Sequence, residues 1–259
     1  MMIKITTKCS MGCPHCMNDS KPIDNHMSWS VLSDAVEFIN KYNSFLLLVA
    51  GGEPTEHPEF MDMLEYICRN LRRDIITTVA TNGIWLQDHR DFVDYIIKTY
   101  PLLEFQVTSV PGLYPKLIDK SKPIYSYKQY KDRVIVCEKI ESMYPQGRAL
   151  QNGYDWPRTK ASKCINPRIL EKQMRVKGGS YYKFSSILQE MSSHLLSCTP
   201  YIAPNGDVKL GESDLCPTCT TIYKSETEIL EDIHNFKCDA CKFINDARLP
   251  EHIKEMLYD

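Results

Sequence analysis

The sequence predicts an α/β protein: a partial (β/α)6 TIM-type barrel with a small C-terminal extension made of a cysteine-rich β-hairpin and helix. Three observations predict it. Short apolar runs alternate with helical patterns through the first half of the chain, as in parallel βαβ units. About five or six such repeats are visible, too few for a closed eight-fold barrel. Beyond about Gly147 the alternation stops and cysteine pairs take over. These shifts divide the chain into a barrel over 1–150 and a linker with a cysteine-rich domain over 151–259.

In chain order, "IKITTK" reads as a strand ending just before Cys9. "SWSVLSDAVEFINKYN" has apolar residues at helical spacing, with Ser28 or Ser30 as cap. "SFLLLVA" is a buried strand ending at Gly51, and "HPEFMDMLEYICRNLRR" a helix with Pro58 near its start. "DIITTVATNG" is a strand closing in a turn signal, "HRDFVDYIIKTY" a helix, and "LEFQVTSV" and "KDRVIVCEKI" two further strands. "GRALQNGYDWPRTKASKC" reads as loop. "TPYIAPNGDVKLG" reads as a hairpin turning at Asn205-Gly206. "SETEILEDIHNF" and "ARLPEHIKEMLY" are helical. In such folds the active site lies where the strands end at their C-terminal edge. The polar and cysteine-bearing stretches fall there.

Composition excludes several classes. The net charge is −2 and no Lys/Arg run stands out, so nothing points to nucleic-acid binding. The longest apolar stretch, Phe45 to Ala50, is far too short to cross a bilayer, and the N-terminus has no signal-peptide pattern. A cytoplasmic protein with no membrane partner is expected. Eleven cysteines clustered toward the two ends argue against a disulfide framework and for metal or redox chemistry.

"KCSMGCPHC" admits two readings. Cys13-Pro14-His15-Cys16 alone is a dithiol motif. With Cys9 it becomes Cys-x3-Cys-x2-Cys, three thiolates close enough to hold an iron–sulfur cluster and one short of closing it. The dithiol reading leaves Cys9 without a role. After the second strand comes "AGGEPTEHPEF", where Gly51 and Gly52 permit close backbone approach, Glu53 offers a carboxylate and Pro54 stiffens the turn. Together these stretches resemble the radical S-adenosylmethionine (SAM) enzymes. The resemblance implies a [4Fe–4S] cluster on Cys9, Cys13 and Cys16. SAM would lie against His15, Gly51, Gly52, Glu53 and Pro54, with Thr81 and Asn82 of "TNG" and Thr108 and Ser109 of "TSV" beside it. His15 departs from the family, which more often has an aromatic residue there.

Cys216-x2-Cys219-x18-Cys238-x2-Cys241 fits a structural zinc site on spacing alone. Adding Cys198 and the hairpin, the region resembles the twitch and SPASM domains, which implies an auxiliary [4Fe–4S] cluster. The first-choice ligands are Cys198, Cys216, Cys238 and Cys241, with Cys219 as replacement ligand or thiol. "GRA" at Gly147–Ala149 resembles the link into such domains. The family usually has a cysteine where this chain has Gly211.

The resemblance further implies a flavodoxin or ferredoxin-type electron donor and hydrogen abstraction from an unactivated C–H bond. The expected reaction oxidises, cross-links or epimerises a peptide or protein side chain. A twitch-type dehydrogenase or cyclase of a small molecule is the alternative. Cys219 or Cys164 could return a hydrogen atom in an epimerase. The alternative of another class is a non-catalytic zinc or thiol-redox protein. Arg148 has two readings, a substrate-carboxylate partner or packing at the domain junction.

Overall fold

The computed structural model describes residues 1–42, 46–126, 130, 132–140, 146–154, 200–211 and 213–236. They form one open eight-stranded mixed sheet in the order β5-β4-β3-β2-β1-β6-β7-β8. The strands are β1 (Met2–Thr6), β2 (Leu46–Gly51), β3 (Ile76–Thr81), β4 (Leu103–Thr108), β5 (Val134–Cys137), β6 (Pro200–Ile202), β7 (Asp207–Leu210) and β8 (Thr218–Thr221). β1 to β5 are parallel and adjacent in chain order. β6 adds in parallel to the other side of β1, and β7 and β8 continue antiparallel. The helices are α1 (Trp29–Tyr42), α2 (Phe60–Asn70), α3 (Arg90–Thr99), α4 (Pro123–Ser126), α5 (Gly147–Gln151) and α6 (Glu226–Asn235).

Every predicted strand and helix that falls within the described residues is present. α1 begins after Ser28, whose Oγ accepts the Val31 amide at 3.4 Å. The hairpin turns at Asn205-Gly206, with Asn205 Oδ1 accepting from the Asp207 amide at 3.2 Å. α6 opens on a capping box between Ser225 and Glu228. One stretch read as loop, Gly147–Gln151, forms the short helix α5. Its cause is tertiary, since it lies against the loop after β1 as described below.

Because successive parallel strands step the same way, right-handed crossovers place their helices on one face. That face holds the main core: Ile3, Ile5, Leu47, Val49, Val79, Phe105 and Val107 of the sheet against Leu32, Ile39, Met63, Ile67, Val93, Ile96, Ile229 and Ile233 of the helices. Among the described residues, a smaller buried cluster of Met2, Ala50, Tyr201 and Ala203 lies on the opposite face. Among the described residues no helix is long and apolar enough to cross a membrane.

Candidate functional site

The loop after β1 carries Cys9, Cys13 and Cys16. It leaves and returns as a paired stem, with Thr7 N bonded to Asn25 O at 3.0 Å and Cys9 N to Lys21 O at 2.9 Å. A turn closes Cys13 onto Cys16, whose amide donates to Cys13 O at 3.2 Å. None of the three thiols is in a disulfide. Burial pushes Cys9 up to about 11 and Cys13 up to about 12, with the Cys16 thiolate adding to the rise at both and the Cys9 thiolate adding to it at Cys13. Deprotonating Cys9 and Cys13 at neutral pH is favoured by a cationic group beside them, the role an iron–sulfur core fills.

The turn after β2 is bonded to this loop. Gly52 N donates to Thr6 O at 2.9 Å and Glu53 N to Lys8 O at 2.8 Å. The approach is too close for a side chain: a Cβ on Gly52 would lie 2.3 Å from Lys8 O and 2.4 Å from Thr7 O. Gly51 faces Thr6 O in the same way at 2.3 Å. Glu56 then accepts from the Ser10 amide at 2.8 and 3.0 Å and from its hydroxyl at 2.8 Å. Nothing in the sequence marked Glu56, because an acidic residue in a turn is ordinary.

Glu53 is buried and ties β2 to the end of β3. Its carboxylate accepts from Thr55 N (3.2 Å), Thr55 Oγ1 (2.7 Å), Thr81 Oγ1 (2.7 Å) and Asn82 N (2.7 Å). Burial raises its carboxyl above the usual range, and these donors act against the rise. Pro54 starts a one-turn helix over Pro54–Glu56. Asn82 Oδ1 accepts from Ile84 N at 2.9 Å, so "TNG" is held as a bracket around Glu53.

At the end of β4, Thr108 is half-buried and pairs with Cys137. Ser109 is buried, and its Oγ accepts from Ile118 N at 3.2 Å. The loop beyond brings Leu113 and Tyr114 onto the cysteine loop. Leu113 O lies 3.1 Å from His15 Nδ1, and the Tyr114 ring is 4.9 Å from that of His15. Burial lowers the His15 basicity, so the ring is held neutral, with the nitrogen facing Leu113 O as donor.

Two further segments reach the cysteine loop. Arg148 of α5 donates through Nε to Cys13 O at 3.0 Å and through Nη1 to Asp19 Oδ1 and Ser20 O at 2.9 and 2.7 Å. Ala149 N donates to Cys16 O, and Asn152 Nδ2 to Pro14 O. From the other side, Asn18 Oδ1 accepts from Asp214 N at 3.0 Å and from Lys4 Nζ at 3.3 Å. Lys4 Nζ is 2.8 Å from Asp214 Oδ1. A lysine inside an apolar parallel strand was itself a signal, and it was missed.

Of the C-terminal cysteines, Cys198, Cys238 and Cys241 lie outside the described residues, as does Cys164. Cys216 is buried beside Gly211, where an added Cβ would lie 2.3 Å from its Sγ. Cys219 lies in β8 and packs against the main core, and burial pushes its thiol up to about 12. Among the described residues no three His, Cys, Asp or Glu side chains converge on a single metal ion. One ion holds its thiolates about 4 Å apart, given bonds of about 2.3 Å. A cubane spreads its corners wider. The three thiols of the N-terminal loop suit a cluster in donor type and in sharing one loop, closed between Cys13 and Cys16. Ser20 Oγ, also on this loop, is a buried oxygen with no partner among the described residues.

Comparison with known proteins bears on the family. Residues 3–139 match the family model described as "Radical SAM superfamily". The chain is 32% identical over 78 residues to the 7-carboxy-7-deazaguanine synthase of Haemophilus influenzae, covering 30% of this chain and 33% of that protein. It is 26% identical over 82 residues to the mycofactocin maturase MftC of Mycobacterium ulcerans, covering 31% and 21%. The alignments therefore span a third or less of these relatives. Its fold is similar to that of Streptococcus suis SuiB bound to the precursor peptide SuiA, with a TM-score of 0.55 at 13% identity over 94% of this chain and 69% of that one.

Proposed function

The chain belongs to the radical SAM superfamily, and from that premise we propose that it oxidises, cross-links or epimerises a peptide or protein side chain. Cys9, Cys13 and Cys16 would hold the [4Fe–4S] cluster, with the "GGEP" turn and the "TNG" and "TSV" strand ends bordering SAM. The chemistry these groups supply when bound is one-electron reductive cleavage of SAM to methionine and a 5′-deoxyadenosyl radical, which takes hydrogen from a substrate C–H bond. The protein's own residues hold and enclose. Glu53 fixes "TNG" against the turn, Gly51 and Gly52 let the turn touch the cysteine loop, and Glu56 locks Ser10.

The observation that carries the reading is this union of turn and loop. Gly52, Glu53 and Glu56 all bond to residues on either side of Cys9. For the substrate, likeness to SuiB in fold and to MftC in sequence supports a peptide. Among the described residues β5 and β8 are the sheet edges, and an edge strand can take up an extended peptide. A small molecule is the second reading. Ala80, Gln106 and Ile135 stand in one row across β3, β4 and β5, and Gln106 is exposed although its strand is internal. The partial match to a deazaguanine synthase supports it as well.

The same reading makes 1–150 a partial barrel and 151–259 a twitch/SPASM-like domain. Cys198, Cys216, Cys238 and Cys241 would bind an auxiliary [4Fe–4S] cluster, with Cys219 as the replacement and zinc as the competing occupant. A flavodoxin or ferredoxin would supply electrons, and the cysteine usage suits the cytoplasm. The test is anaerobic reconstitution of the parent and of Cys9→Ala/Cys13→Ala/Cys16→Ala. Iron, sulfide and zinc are measured per chain, together with dithionite-dependent formation of 5′-deoxyadenosine. About eight irons in the parent against four in the triple variant, with cleavage abolished, is the expected result. Zinc alone with no SAM cleavage would return the chain to thiol chemistry.

A further inference from the structure

We propose that Arg148 and Asp19 form a positioning pair that holds the cysteine loop and sets the reduction potential of the cluster bound there. The inference rests on the assignment of that cluster to Cys9, Cys13 and Cys16. Segment 147–152 crosses the loop and bonds to its backbone at three points: Cys13 O from Arg148, Pro14 O from Asn152 and Cys16 O from Ala149. A loop without regular structure must find partners for its carbonyls, and this segment provides them. Gly147 makes the crossing feasible. Its φ is +52°, and a Cβ there would sit 2.4 Å from Met17 O.

The guanidinium is engaged on the loop through Nε and Nη1. Nε takes Cys13 O, and Nη1 takes Asp19 Oδ1 and Ser20 O, while the side chain is only 18% exposed. Arginine keeps its charge at all working pH values. A fixed cation bonded to the carbonyl of a ligand cysteine favours the more negative, reduced state of the cluster. Charge and hydrogen bonding around the sulfurs are the protein's means of moving that potential. Asp19 offsets part of the field from the far side of the ion pair. Its φ is +53°, a left-handed conformation that Asp and Asn both tolerate, so Asp19→Asn removes charge without refolding the turn.

The experiment is an EPR-monitored redox titration of the reconstituted full chain, with iron and sulfide per chain, for the parent, R148Q, R148K and D19N. R148Q is expected to titrate at a more negative potential than the parent and D19N at a less negative one. R148K should titrate near the parent. Under chelator it should lose iron faster, because one ammonium cannot replace the fork that spans Cys13 O, Asp19 and Ser20 O. If R148Q retains no iron, the holding role stands and D19N decides the potential. Parent-like potentials in R148Q and D19N, or shifts of the same sign, overturn the inference alone. A parent that takes up no cluster overturns it together with the cysteine assignment.

Discussion

Replacing Lys4 with Met should destabilise the fold by about 3–4 kcal/mol. Lys4 is 1% exposed, its Nζ lying 2.8 Å from Asp214 Oδ1 and 4.2 Å from the centre of the Tyr201 ring. At an effective dielectric near 20, unit charges at that separation attract by about 6 kcal/mol. Taking both ions out of water costs several kcal/mol each, so the intact pair contributes little net stability. Removing one partner is different, because the other stays behind uncompensated, at about 3–5 kcal/mol for a fully buried pair. Asp214 is 24% exposed and can rehydrate in part, which favours the lower end. Loss of the desolvated cation–π contact adds about 1 kcal/mol, partly replaced by the Met thioether. Lys4→Met/Asp214→Asn should recover about 1–2 kcal/mol relative to Lys4→Met, since no charge is then stranded. Urea unfolding followed by far-UV circular dichroism under anaerobic conditions measures all three proteins. A Lys4→Met stability within about 0.5 kcal/mol of the parent would refute the reasoning. So would a double variant no more stable than Lys4→Met.

Two further outcomes follow from other groups. Glu53→Gln should weaken SAM binding at least tenfold and cost about 1.5–3 kcal/mol of stability, because an amide NH2 must face donors from Thr55, Thr81 or Asn82. Equilibrium dialysis with SAM and a urea midpoint read the two effects, and parent-like binding with a parent-like midpoint would remove Glu53 as the bracket of "TNG". His57 is buried, with Nε2 on Met27 O and Nδ1 accepting from the Glu59 amide, and burial holds its basicity below the ordinary value of 6.5. Below about pH 6.5 the unfolded chain therefore binds a proton that the native chain resists. Stability should fall with decreasing pH there, by at most about 1.4 kcal/mol per pH unit from this group. His57→Gln should flatten that slope. An unchanged slope would assign the acid sensitivity elsewhere.

The regular elements were legible because their signals are local. Alternating apolar runs located β1 to β5, and Ser28 and Asn205-Gly206 marked a helix start and a turn that the structure contains. Spacing and residue type singled out Cys9, Cys13, Cys16, Gly51, Gly52 and Glu53, and the structure brings the turn that carries Gly51, Gly52 and Glu53 onto the cysteine loop. The site was not legible where a residue acts through distance. Arg148 sits 135 positions from Cys13, and Asp214 lies 196 from Asn18. No periodicity joins such pairs. α5 escaped for the same reason: "GRALQ" has no helical apolar stripe, and it is helical where it lies across the cysteine loop.

These long-range contacts bear on how the loop acquires its shape. A segment with three thiols and few internal bonds could be a chain that folds only around metal, as small metal-binding domains do. Here the backbone is bonded to the rest of the chain from three directions. The turn after β2 binds Thr6, Lys8 and Ser10; α5 and Asn152 bind Cys13, Pro14 and Cys16; the stretch after β7 binds Met17 and Asn18. Each anchor comes from a different part of the chain, so the loop's geometry depends on the tertiary fold. Raised thiol basicity is the cost of that enclosure at Cys9 and Cys13. A preformed but protonated site has a definite consequence. Cluster assembly should release protons while changing the far-UV circular dichroism little, whereas a metal-templated loop would gain structure as iron enters.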